Sequence, residues 1–91
     1  MNNIKDEIDI DKLLVNIDKL HTTPLGVERI IRNLSLDNQI DVVKWCKQKA
    51  QVTGAFIKRE GKNYYIQVGD CVITVNTNSF TIITAHKLKS K

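Results

Sequence analysis

The apolar positions of this 91-residue chain change their period once, near residue 51. Before that point they recur every three to four residues, as on one face of a helix. After it they alternate, as on one face of a strand. In IKDEIDIDKLLVNIDKL, the residues Ile10, Leu13, Leu14, Ile17 and Leu20 keep helical spacing. Asp6, Glu7 and Asp9 precede them, where the helix dipole favours acids. The pattern predicts a first helix ending at Leu20 or His21. TTPLGVERIIRNL predicts a second, with Thr23 as N-cap and Pro24 at the first helical position, where its missing N–H does no harm. Val27, Ile30, Ile31 and Leu34 face inward; Glu28, Arg29, Arg32 and Asn33 face outward. SLDNQIDVVKWCKQKA predicts a third, capped by Ser35 or Asp37, with Ile40, Val43, Cys46 and Ala50 on one stripe.

From Val52 the segments VTGAFIKR, YYIQV, CVITVN and SFTIITA are short, β-branched and aromatic. Short links containing Gly or Asn join them, so the expected sheet is a four-stranded antiparallel meander. The expected fold is α+β, with three N-terminal helices on one face of that sheet. A four-residue loop at 60–63 and two-residue turns at Gly69-Asp70 and Thr77-Asn78 then set the register. Ile57, Ile66, Ile73 and Ile82 align as the central core row. Ala55, Val68, Cys71 and Thr84 share that face, as do Arg59, Tyr64, Val75 and Phe80. The opposite face carries the row Lys58, Tyr65, Thr74 and Thr81, beside Phe56, Gln67, Val72 and Ile83.

A chain of this length makes one domain: a helical layer over residues 1–50, a sheet over 51–86 and a basic tail over 87–91. The composition is 42% hydrophobic and 26% charged, as in folded soluble proteins. No apolar run approaches the roughly 20 residues of a membrane span, and the acidic start MNNIKDEIDIDK is unlike a signal peptide. The expected location is the cytoplasm. Two cysteines, Cys46 and Cys71, are too few for a disulfide scaffold and fit no metal spacing. The net charge of +4 hides an asymmetry: residues 42–91 carry nine Lys and Arg against Glu60 and Asp70. A basic half suits a polyanion or an acidic protein partner.

Four groups of residues carry candidate chemistry. Lys58, Tyr65, Thr74 and Thr81 project a cation, a phenol and two hydroxyls from rigid strands, as a phosphate site would need. His21 and His86, the two histidines, are the candidate acid and base for metal-independent RNA cleavage through the 2′-hydroxyl. That role requires them to meet, with His21 at a helix corner and His86 just beyond the last strand. Arg29 and Arg32 lie three apart on one helix face and could clamp a phosphate or carboxylate. Lys87, Lys89 and Lys91 could follow a nucleic-acid backbone. Each group has a plainer reading as an ordinary solvated surface. No P-loop, dinucleotide fingerprint, zinc spacing or nucleophile elbow occurs, so no cofactor or metal is expected.

LHTTPLGVERIIRNLSL (20–36), DVVKWCK (41–47) and TIITAHK (81–87) resemble the domain-of-unknown-function 3781 family of small bacterial and phage-associated proteins. That resemblance covers nearly the whole chain and implies no established activity. More loosely, helices followed by a four-stranded meander ending in Thr-x-x-Thr-Ala resemble the barnase–EndoU–colicin–RelE ribonuclease superfamily, which includes toxins. That second resemblance implies a site strand of Thr81, Thr84 and His86, with Lys58 on the phosphate and His21 and Arg29 from the helical layer. By the register above, Thr81 faces the open side while Thr84 and His86 share the helix side, so one site needs either a bulge in the strand or a site that wraps the sheet edge. The expected function is RNA interaction, with or without cleavage. The alternatives are a phage inhibitor of a host defence protein, anti-CRISPR in type, and a pocket for a small anionic ligand. The sheet edges, strands 1 and 4, are where a homodimer would form.

Overall fold

The computed structural model describes residues 4–88, with side chains from residue 10 onward. Helices α1 (Ile4–Val15), α2 (Pro24–Leu34) and α3 (Val42–Ala50) precede strands β1 (Phe56–Glu60), β2 (Asn63–Val68), β3 (Cys71–Asn76) and β4 (Ile82–Lys87). The strands form one sheet in chain order, every pairing antiparallel. The fold is therefore α+β, three helices followed by a four-stranded meander, as the single change of period predicts. Lys89, Lys91 and the side chains of Asp6, Glu7 and Asp9 lie outside the described residues.

Helix ends follow local hydrogen bonding more than apolar spacing. α1 stops at Val15, short of Leu20, because Asn16 turns back on it. Its backbone N–H reaches both Lys12 O (3.2 Å) and Leu13 O (3.1 Å), and its side chain donates to Lys12 O at 2.8 Å. A single 3-10 turn, Ile17–Lys19, then delivers Leu20 to the core. α2 begins as expected: the Thr23 hydroxyl accepts from Gly26 N at 3.0 Å and Pro24 follows. α3 begins later than expected. Ser35 sits in the left-handed region (φ 55°) and ends α2, while Asp37 accepts from Gln39 N in a local turn. Asp41 is the cap, accepting from Lys44 N at 3.1 Å.

The helices cover one face of the sheet. Leu13, Ile30, Leu34, Val42, Cys46 and Ala50 pack over Tyr64, Ile66, Ile73, Val75, Ile82 and Ala85, all buried. Each large aliphatic among them contributes about 1.5–3 kcal/mol by leaving water.

The register of β1 to β3 is the predicted one: Ile57 pairs with Ile66 and Ile66 with Ile73. A two-residue link, Gly61-Lys62, gives the same pairing as the four-residue loop expected there. β4 departs from the prediction. Ile73 faces Ala85 rather than Ile82, and a bulge separates Thr84, opposite Thr74, from Ile82, opposite Val75. The cause is the β3–β4 loop, which is longer than a two-residue turn. Asn76 Oδ1 accepts from Asn78 N (2.8 Å) and Ser79 N (2.9 Å), and Phe80 adopts φ 59°. Thr77 N donates to Lys62 O at 2.9 Å, folding the loop back on the β1–β2 link. Ile82 remains in the core, but the open face now reads Lys58, Tyr65, Thr74, Thr84 in one row and Phe56, Gln67, Val72, His86 in the next. Thr81 leaves the sheet row assigned to it, and His86 lies within β4 rather than beyond it.

Candidate functional site

β4 is an edge strand of the sheet, yet its outer side is occupied. His21, between the 3-10 turn and α2, bridges Thr81 in parallel fashion. Its N–H donates to Phe80 O at 3.3 Å, and its carbonyl accepts from Ile82 N at 2.7 Å. The Thr22 hydroxyl donates to Ile82 O at 2.9 Å. Further along, Asn33 of α2 donates to Ala85 O (3.2 Å) and reaches Thr84 Oγ1 at 3.5 Å. α2 thus runs beside β4 and forms a seam with it. Gly26 makes the close approach possible: a Cβ there would press on the Thr22 hydroxyl.

Helical geometry places Arg29 on this seam and turns Arg32 toward solvent. Arg29 lies one turn before Asn33 on the same face, and Arg32 lies three residues after Arg29. Both side chains are exposed, and among the described residues neither forms an ion pair. Glu28 stands one turn before Arg32 and is the acid of this helix.

At the start of the seam, His21 is held by two bonds. Nδ1 lies 2.9 Å from Lys19 O, and a carbonyl can only accept, so Nδ1 carries a proton. Nε2 lies 3.0 Å from Thr81 Oγ1, which lies 2.7 Å from Ser79 Oγ. In the neutral ring, Nε2 is an acceptor aimed at a hydroxyl. This is an oriented base at an exposed corner of the fold.

The family model described as Protein of unknown function (DUF3781) matches residues 14–86, from the end of α1 through the seam to His86. The chain belongs to this family. No curated protein and no solved structure matches it.

The other candidate residues of this family member separate into two groups. His86 and Lys87 occupy the far end of β4, opposite Val72 and Cys71, and both are exposed. Five residues of strand separate Thr81 from His86, which at about 3.3 Å per residue is about 16 Å. His21 and His86 therefore stand at opposite ends of the seam and cannot act on one bond. Thr84 sits at its middle. Lys58, Tyr65 and Thr74 lie across the open face, joined to the seam only through Thr84. Thr74 is buried, 7% exposed, so its hydroxyl is poorly placed for a ligand. Lys58 Nζ lies 3.9 Å from Glu60 Oε1, a surface pair that partly neutralises it.

Burial pushes the Cys46 thiol up to about 12, which keeps it protonated and unreactive. Cys71 is also raised, first by burial and then by the neighbouring Asp70. Among the described residues, no cluster of His, Cys, Asp and Glu could hold a metal ion. No helix there is long and apolar enough to cross a membrane. Thr22, Asn33, Asn76 and Ser79 shape the seam, and sequence reasoning gave none of them a role in it. The run NTNSF carried a signal for the longer loop, since Asn followed by Asn-Ser favours side-chain-capped turns.

Proposed function

We propose that this domain binds RNA along the α2–β4 seam, in the cytoplasm. The observation that supports the reading is the line of Arg29, His21 and Lys87 beside hydroxyl and amide groups of Thr84 and Asn33, with Arg32 one turn after Arg29 on the outer face of α2. Guanidinium forks engage phosphate oxygens in pairs, and hydroxyls and amides add neutral bonds to phosphate and sugar. The basic excess of residues 42–91 supports the same reading. So does, at the level of fold, the looser resemblance to ribonuclease toxins. Filter binding of a labelled single-stranded RNA at several salt concentrations tests it. Each phosphate contact steepens the salt dependence by about 0.7 in log–log slope. Arg29→Ala with Arg32→Ala should lower the slope by about 1.4. Unchanged binding by that double variant would remove the reading.

A second reading, RNA cleavage, is favoured by the geometry of His21 alone. A 2′-hydroxyl taking the place of the Thr81 hydroxyl would give its proton to Nε2, and its oxygen would attack the adjacent phosphorus. The 5′-oxygen would leave with a proton from water, producing a cyclic phosphate. His21→Ala should abolish cutting measured in EDTA, while His86→Ala should keep it. If the unaltered domain leaves RNA whole, binding stands and cleavage falls. Stoichiometric capture of a host defence protein in place of RNA would instead favour the inhibitor reading.

A further inference from the structure

Among the described residues, the outer side of β1, the other outer strand, has no backbone cover like that of β4. The link Gly61-Lys62 pairs Glu60 with Asn63, and in a two-residue hairpin that closing pair exchanges both backbone bonds with its neighbour. Alternation then turns the backbone N–H and C=O of Ile57 outward. Among the described residues, no backbone bond outside the β1–β2 ladder reaches Ile57. Three of the exposed large apolar side chains stand at the same place. Phe56 is 63% exposed, Val52 42% and Leu14 37%. They line an open groove of about 530 Å³, with Ile10, Ala55 and Ile57, on the helix side of the edge.

We propose that the occupant of this edge is a second copy of the chain, paired β1 to β1 in antiparallel fashion about a two-fold axis at Ile57. A two-fold pairing keeps each side chain on its own face, so three registers are open to a strand as short as Phe56–Glu60. Centred on Lys58, it sets Lys58 against its own copy and Phe56 against Glu60. Centred on Arg59, it sets two guanidinium groups together. Like charges placed opposite each other destabilise a sheet. Centred on Ile57, it places Ile57 against Ile57, Ala55 against Arg59, and Phe56 against Lys58, whose aliphatic stem the ring can cover. That register alone opposes no like charges. It joins two four-stranded sheets into one of eight strands and brings the two apolar grooves together on the helix side. The inference does not depend on RNA binding.

Charge at position 56 tests the register, since that side chain is too exposed to matter to the core. Sedimentation velocity across a concentration series should show a monomer–dimer equilibrium for the unaltered chain. Phe56→Lys would face Lys58 and should weaken dimerisation at least tenfold. Phe56→Glu would face the same lysine and should dimerise more tightly than Phe56→Lys. The reverse order would overturn the register, because a Lys58-centred pairing sets position 56 against Glu60. A chain that stays monomeric up to millimolar concentration, or two variants that dimerise equally well, would overturn the inference altogether.

Discussion

The two outer strands of this sheet receive opposite treatment. β4 has its outer groups engaged by His21, Thr22 and Asn33, from the segment that ends in α2. Among the described residues, β1 has no such backbone cover at Ile57, and exposed Phe56 stands beside it. Edge strands left bare invite pairing, so a protein covers, charges or uses them. Covering β4 required a parallel bridge and a glycine at a tight contact. The same device gathers polar and basic groups along one line, so the sealed edge is where the candidate chemistry lies. Beside the bare edge lies an apolar border of Phe56, Val52 and Leu14, while the seam side exposes Ile83 and Leu25 next to its polar groups.

The largest expected contrast is between Ile82 and Phe56. Ile82 is 1% exposed beneath the seam, whereas Phe56 is 63% exposed. Ile82→Ala should cost about 2–5 kcal/mol of stability, as other buried aliphatic truncations do. Phe56→Ala should stay within about 0.5 kcal/mol at concentrations too low for association. Urea unfolding followed by circular dichroism gives both values. A larger cost at Phe56 would mean that the apolar border is part of the core, and the contrast of edges would fail.

The bulge in β4 provides the next test. In the unbulged register Ala85 faces the open side, and enlarging it is harmless. In the structure Ala85 is fully buried opposite Ile73. Ala85→Leu should therefore cost about 1–3 kcal/mol through overpacking. A neutral result would restore the simple two-residue turn and return Thr81 to the open face.

That bulge also marks how far the sequence could be read. The class of fold, the meander and the pairing of Ile57, Ile66 and Ile73 follow from period and turn spacing, because a slip by one residue would bury polar groups. All five pairs of the β3–β4 register depend on how Asn76 spends its side chain, and apolar alternation does not report on that. Arg29 and Arg32 were legible as a pair, since helical spacing is rigid. The contact of Asn33, from the same helix, with Thr84 and Ala85 was not, because it joins residues some fifty positions apart. The separation of His21 from His86 likewise follows from the parallel bridge to Thr81, a long-range contact with no local signature. Sequence placed Arg29, Arg32, Lys58, Tyr65, Thr74 and Thr84 on the elements they occupy, put Thr81, His86 and Lys87 on the wrong sides of the β4 ends, and left open which residues meet.

The smallest effect belongs to the hydrogen bond that closes the seam. The Thr22 hydroxyl donates to Ile82 O at 2.9 Å in a half-buried setting. Thr22→Val keeps the shape and leaves that carbonyl without its partner. Because water can partly replace the hydroxyl there, the cost should be about 1 kcal/mol, at the low end for an unpaired buried acceptor. Thr53→Val, an exposed position ahead of β1, removes a hydroxyl with no such partner and should change stability by less than about 0.5 kcal/mol. Stability alone does not say that the edge has opened, so amide exchange at Ile82 is the sharper measurement. Its N–H is held by the His21 carbonyl. If Thr22 fastens the covering segment to β4, that amide should exchange faster in Thr22→Val while the amide of Ile66, inside the sheet, keeps its protection. Equal acceleration at both sites would mean that Thr22 acts on the whole fold. No acceleration at Ile82 would mean that the backbone bridge of His21 holds the edge unaided.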